Sequence, residues 1–151
     1  MTYVVIALIM FGIDQLSKIL LYGKTMSLLG DVLWLQDVPL NTGAAWGSFA
    51  GQRWLFIGLA ALVSSFIIYL IFSNKFSQSK FFKLTLAILL GGIIGNFFDR
   101  LYYAGVRDFI YLKFINFPVF NFADICITVG TIMFAVYILF LHKKPQKNTK
   151  E

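Results

Sequence analysis

The sequence predicts an all-α membrane protein built as a bundle of four transmembrane helices. Three observations carry this expectation. The chain of 151 residues is 59% hydrophobic and only 13% charged, whereas soluble domains carry about a quarter charged residues. Its mean hydropathy is +0.78, and a domain of this size cannot bury so much apolar surface in water. Four apolar runs, at residues 3–22, 54–72, 81–98 and 122–141, are each long enough to cross about 30 Å of hydrocarbon at about 1.5 Å per residue.

The first run is not read as a cleaved leader. The start "MTYVV" carries no basic residue, and Asp14 and Lys18 interrupt the apolar stretch. The connection between the second and third runs holds Lys75, Lys80 and Lys83 without an acid. The tail 142–151 holds Lys143, Lys144, Lys147 and Lys150 against Glu151. Lysines concentrated in these two places put that side of the bundle in the cytoplasm, with both termini inside. The formal charge of +6 is then a topology signal and an attraction to anionic lipid heads, and it calls for no nucleic-acid partner. The remaining connections, 23–53 and 100–121, face outward. "VLWLQDV" alternates enough to form a short strand. "NTGAAWGSFAG" is rich in small residues, and Trp34, Trp46 and Trp54 suit an interfacial belt. The aromatic second segment reads as a piece lying on the membrane surface or folded over the bundle mouth.

One histidine (His142) and one cysteine (Cys126) leave no inventory for a metal cage or a disulfide. A Cys126/His142 pair on one helix would be about 24 Å apart. Acid chemistry inside the chain falls to six aspartates, since the one glutamate is the last residue. Asp14 and Lys18 are four apart and read as a structural ion pair facing the bundle interior. Gly91 and Gly95 make a small-xxx-small packing step. Asn96, Asp99 and Arg100 share one face at the outer end of the third run, where the fork of Arg100 suits a backbone carbonyl or a carboxylate. Asp124 stands three residues after Asn121, the spacing of a capping box. Local evidence leaves capping and function level for Asp124, and Asp108 alone is an ordinary loop acid. Asp108 and Asp124 nevertheless flank one outward segment at the depth expected for Asn41, Asn96 and Arg100. Two neighbouring carboxyls share a proton, which is the equipment of an aspartic protease.

The blocks "DQLSK" (14–18), "NTGAAWG" (41–47), "GNFFDR" (95–100), "VRDF" (106–109) and "FNFADICITVG" (120–130) resemble, in order, those of the lipoprotein signal peptidase family, signal peptidase II. The resemblance leaves out only the basic tail. It implies one peptidase domain over 1–151 in the bacterial inner membrane. A small β-cradle and a short surface helix or loop would cover a site near the extracytoplasmic face. It implies an aspartyl endopeptidase that cuts diacylglyceryl-modified prolipoproteins just before the lipidated cysteine. Asp108 and Asp124 match the catalytic dyad. Asn41, Gly43, Asn96, Arg100 and Asn121 match positions supporting substrate or dyad, and Asp14, Lys18 and Asp99 match structural polar positions. Partners implied are the prolipoprotein, membrane lipid and the family's cyclic-peptide inhibitors, with no cofactor. Two other classes, a small channel or transporter and a noncatalytic membrane scaffold, also place polar groups inside a bundle, but neither would process a prolipoprotein.

Overall fold

In the computed structural model, residues 1–43, 48–73, 79–115 and 117–141 are described. Trp46, Lys75, His142 and the tail lysines lie outside them, as do residues 44–47 of the "NTGAAWG" block. Four helices are long and apolar enough to cross a membrane: α1 (Thr2–Leu21), α2 (Arg53–Phe72), α3 (Lys80–Tyr103) and α4 (Phe122–Val136), the last continuing as a π-helical turn to Leu141. Half of the α3 span is buried inside the protein, against 17% for each of the others. The third helix is therefore the central one, and α1, α2 and α4 all pack against it. Its small residues allow this. A Cβ on Gly91 would meet Met10 and the Ala7 carbonyl of α1, and one on Gly92 would meet the Ala123 carbonyl and Cys126 of α4. The outward-facing surfaces of α1, α2 and α4 expose Leu8, Ile19, Leu62, Phe66, Ile132 and Leu139, the pattern of helices solvated by lipid rather than water.

The helix α3 runs past the apolar stretch that marks it in the sequence, carrying Asp99 and Arg100 inside the helix. Hydropathy drops there, but nothing breaks the helix until Ala104, which ends it in the left-handed region (φ 63°). Arg53, the first residue of α2, then takes the free carbonyls of that end. Its Nε donates to Arg100 O at 2.7 Å and its Nη2 to Leu101 O at 2.6 Å.

The bundle divides into two ends. Ala7, Ile67, Ile71, Leu86, Leu90 and Tyr137 build an apolar core at one end. At the other, the two outward connections are knitted into an antiparallel sheet ordered β1 (Met26–Leu29), β2 (Leu33–Leu35) and β3 (Ile110–Leu112). The expected strand in "VLWLQDV" is β2. The second outward segment joins it as β3, with Trp34 opposite Tyr111 and Leu35 opposite Ile110. Two isolated bridges, Asn41 with Val106 and Ile110 with Phe120, extend the sheet toward the helices. Alternation along the strands puts Leu35 on the buried face and Trp34 on the other, where Lys113 Nζ lies 4.5 Å from its ring.

Candidate active site

The sheet end of the bundle holds a buried polar cluster, and its centre is the first turn of α4. Asn121 is the N-cap in extended backbone. Its Oδ1 accepts from Asp124 N at 3.1 Å, and Asp124 Oδ2 accepts from Asn121 N at 3.1 Å. The capping box expected from the three-residue spacing is therefore formed. Asp14 reaches across from α1 and accepts from Ala123 N at 2.9 Å, so side chains satisfy successive orphan donors of this helix start. Because Asn121 Oδ1 is committed to the cap, its amide nitrogen faces the other way. It donates to Asp108 Oδ1 at 2.6 Å and to Asn96 Oδ1 at 3.1 Å.

Asp108 sits between the end of α3 and β3, in a backbone stretch tied to Asn41 by the bridge at Val106. Asn41 is oriented in the same way as Asn121. Its Oδ1 accepts from Gly43 N at 3.0 Å, which turns its Nδ2 toward Asp108 Oδ2, also at 3.0 Å. Asn96, one helical turn before Arg100 on α3, donates to Asp124 Oδ1 at 2.8 Å. Each carboxylate is thus held by asparagine amides and keeps lone pairs for water or substrate. Asp108 is almost wholly buried. Burial, with the charge of Asp124 as the next cause, pushes its pKa up to about 6, against the pull of its hydrogen bonds from Asn41 and Asn121.

Behind the two acids lies an ionic layer. Lys18 Nζ contacts Asp14 Oδ2 at 2.9 Å, Asn96 Oδ1 at 3.0 Å and Asp99 Oδ2 at 3.3 Å. All three ionic side chains are fully buried. Asp99 also accepts from the Arg107 backbone N–H at 3.0 Å and from its guanidinium at 2.7 Å. A buried charge is tolerated only when paired and hydrogen-bonded, and each of these is.

In front of the acids opens a cavity of about 720 Å³, walled by α2 (Phe56, Leu59, Ala60, Val63), α4 (Thr128, Val129) and Ile115 with residues 117–120. Asn41, Gly43, Asn96, Arg100, Asp108 and Asp124 reach its surface. Arg100 spans the mouth, with Nη2 donating to Gly43 O at 2.9 Å and the guanidinium 4.7 Å from the Phe56 ring. Its Nε is buried without a hydrogen-bond partner among the described residues. Of the residues singled out in the sequence, Asn121, Asp14, Lys18 and Asp99 stand behind the cavity wall. The rest line it. A mouth with two carboxyls, amide donors and a guanidinium can hold a proton between acids, polarise a water and bind a carbonyl oxygen.

Three participants do not emerge from sequence reasoning. Gln15 donates to Asp14 at 2.9 Å, and to Gly95 O and Asp99 Oδ1 at 3.3 Å each. A polar side chain in an apolar run is the signal that could have found it. Arg107 looks in the sequence like the loop neighbour of Asp108, and Arg53 like an interfacial charge.

Comparison with known proteins agrees with this architecture. The family model described as Signal peptidase (SPase) II matches residues 6–140. The lipoprotein signal peptidase of Shouchella clausii is 38% identical over 99% of this chain and 100% of its own length. That of Lactobacillus johnsonii is 38% identical over 94% of both chains. A bacterial membrane enzyme solved by the in meso method at 2.3 Å superposes with a TM-score of 0.82 at 27% identity, covering 99% of this chain and 93% of the other. The four apolar helices and this likeness make the protein a multi-pass bacterial membrane protein, and with its model matched from the first helix to the last, the chain belongs to the signal peptidase II family.

Proposed function

We propose that this protein removes signal peptides from bacterial prolipoproteins as an aspartyl endopeptidase, with Asp108 and Asp124 as its dyad. The observation that carries the reading is their convergence. The two acids come from different segments, are oriented by Asn41, Asn96 and Asn121 from the first outward connection, α3 and the start of α4, and border one apolar cavity. The dyad shares one proton. Its ionised member takes a proton from a water, and that water's oxygen attacks the scissile carbonyl carbon. The protonated member gives its proton to the carbonyl oxygen. Collapse of the tetrahedral diol breaks the C–N bond as a proton passes to the leaving amine. Titration belongs to the pair, so neither acid is assigned one role. The guanidinium of Arg100, whose Nε–H has no partner among the described residues, is suited to a substrate carbonyl, while Asn41, Gly43, Asn96 and Asn121 hold dyad and mouth in place. Asp14, Lys18 and Asp99 act as structural support.

The cavity wall supports the choice of substrate. Apolar faces of α2 and α4 flank the acids, so an apolar signal peptide can enter sideways while a diacylglyceryl group stays in lipid. The cut then falls just before the lipidated cysteine. The lysine distribution favours a single peptidase domain with both termini in the cytoplasm and the polar end of the bundle at the extracytoplasmic face. The test is cleavage of a diacylglyceryl prolipoprotein, compared with its unlipidated form. Asp108→Asn and Asp124→Asn should each lose about 10²–10⁴-fold in rate. Undiminished turnover by either variant rules out the dyad, and equal rates on the two substrates rule out lipid dependence.

A further inference from the structure

Arg107 is buried, with the guanidinium turned away from the cavity and into the bundle. Its Nη2 donates to Asp99 Oδ1 at 2.7 Å and to Gln15 Oε1 at 2.8 Å, and its Nε donates to Asp99 Oδ2 at 3.3 Å. The Tyr103 ring lies 4.3 Å from the guanidinium carbon. Asp99 also takes the Arg107 backbone N–H. Side chain and main chain of one residue are thus gripped by one carboxylate on α3, and the next residue in the chain is Asp108. A bidentate arginine–carboxylate pair fixes direction as well as distance.

The charges around Asp108 are countable. Lys18 comes from α1 with Asp14 paired to it, Tyr22 from just past the end of α1, Asp99 and Arg100 from α3, and Asp124 from α4, with Arg107 beside Asp108 in the chain. The α2 helix turns Phe56, Leu59 and Ala60 to the cavity. Three cations (Lys18, Arg100, Arg107) therefore face four acids (Asp14, Asp99, Asp108, Asp124). With every group ionised, the cluster carries one excess negative charge. A single proton on the dyad cancels it. Loss of Arg107 would leave that singly protonated state one charge short, in a region where unbalanced charge is costly.

We propose that Arg107 is a positioning residue for the candidate dyad. Clamped on Asp99 and Gln15, it holds the Asp108 backbone in register with Asn41 and Asn121 and supplies the charge that balances the cluster when the dyad holds one proton. This rests on the aspartyl endopeptidase reading above. A salt bridge serving the fold alone would affect stability but not the titration of catalysis, so the pH profile separates the two roles.

The experiment measures kcat/KM against pH with a diacylglyceryl prolipoprotein for wild type, Arg107→Lys, Arg107→Gln and the double variant Arg107→Gln/Asp99→Asn, with thermal melts alongside. In Arg107→Gln the cluster loses one positive charge, so the dyad keeps its proton to higher pH. The alkaline limb should move up by about one pH unit, with a lower maximum. Arg107→Lys keeps the charge and should keep the limb. The double variant removes one charge of each sign and should return the limb toward wild type even where Arg107→Gln alone is too damaged to assay. An unmoved limb in an active Arg107→Gln overturns the proposal. So does a double variant that melts like wild type and remains inactive. Wild-type turnover by Asp108→Asn or Asp124→Asn would instead sink the underlying reading. Inactive dyad variants together with an unmoved limb sink only the role of Arg107.

Discussion

The amide nitrogen of Asn121 lies 2.6 Å from Asp108 Oδ1, while the oxygen of the same amide caps the helix that carries Asp124. One side chain thereby couples the two candidate catalytic acids through the start of α4. The two functions of Asn121 are separable. Asn121→Ala removes both, and should lower stability by about 1 kcal/mol through the lost cap along with cleavage. Asn121→Ser restores a cap acceptor but no N–H for Asp108. Stability should recover in thermal melts while kcat stays depressed. Full recovery of kcat in the serine variant would show that the Asp108 contact contributes nothing.

The pH dependence follows from Asp108. Its pKa, pushed up to about 6 by burial and then by Asp124, lies above the ordinary carboxylate range, so the protonated form persists into mildly acidic solution. The sign is fixed by this direction. Below about 6 the dyad holds its shared proton, and as pH rises through about 6 that proton is lost, and with it the acid component of catalysis. The kcat/KM profile, which reports the free enzyme, should therefore fall as pH rises through about 6. Substrate filling the cavity removes more water from the acid, so the corresponding limb of kcat should lie at higher pH. A flat kcat/KM between pH 5 and 8 would exclude a dyad that gives up its shared proton near pH 6.

Lys18 is the cation that Asp14, Asn96 and Asp99 share. Truncating it to Met keeps most of the volume but leaves the buried Asp14 without its cation and Asp99 with Arg107 alone, and breaking a buried pair from one side typically destabilises by about 3–5 kcal/mol. Lys18→Met should melt far below wild type. Lys18→Met with Asp14→Asn should recover part of the loss, because the stranded charge is removed. Strict additivity of the two substitutions in melting experiments would contradict the shared network.

Much of this arrangement is written in local spacing. The four helices follow from apolar runs, the Asp14–Lys18 pair from a four-residue step, and the Asn121–Asp124 capping box from a three-residue step. What spacing does not carry is the choice of distant partner. Gln15 meets Arg107 across 92 positions of sequence, and Arg100 meets the Gly43 carbonyl across 57. Only the packed bundle sets those contacts. The end of α3 is hidden for another reason. Asp99 and Arg100 break the hydropathy signal without breaking the helix, because inside the cluster their charges are paired or face a cavity. The antiparallel register of β2 and β3 likewise depends on two segments that are separated by two transmembrane helices.

Gly95 tests how closely the ionic layer governs the site. A Cβ built there would press into the Asp14 carboxylate and come within 3.2 Å of Ala123 Cβ. Gly95 O also accepts from Gln15 Nε2. Helix propensity alone would make Gly95→Ala stabilising by up to about 1 kcal/mol. The added methyl, however, meets a carboxylate locked by Lys18 and by Ala123 N–H, and overpacking of this kind costs about 1–3 kcal/mol. The steric term is the larger, so the substitution should destabilise. Because Asp14 holds the first turn of α4, displacing it also moves Asp124. Gly95→Ala should therefore lose cleavage beyond what its lower melting temperature explains at the assay temperature. Gly58→Ala is the control, since α2 leaves open space around that position, and it should gain slightly in stability with cleavage unchanged. A Gly95→Ala variant as stable and active as Gly58→Ala would show that α1 and α3 can separate without disturbing the acids.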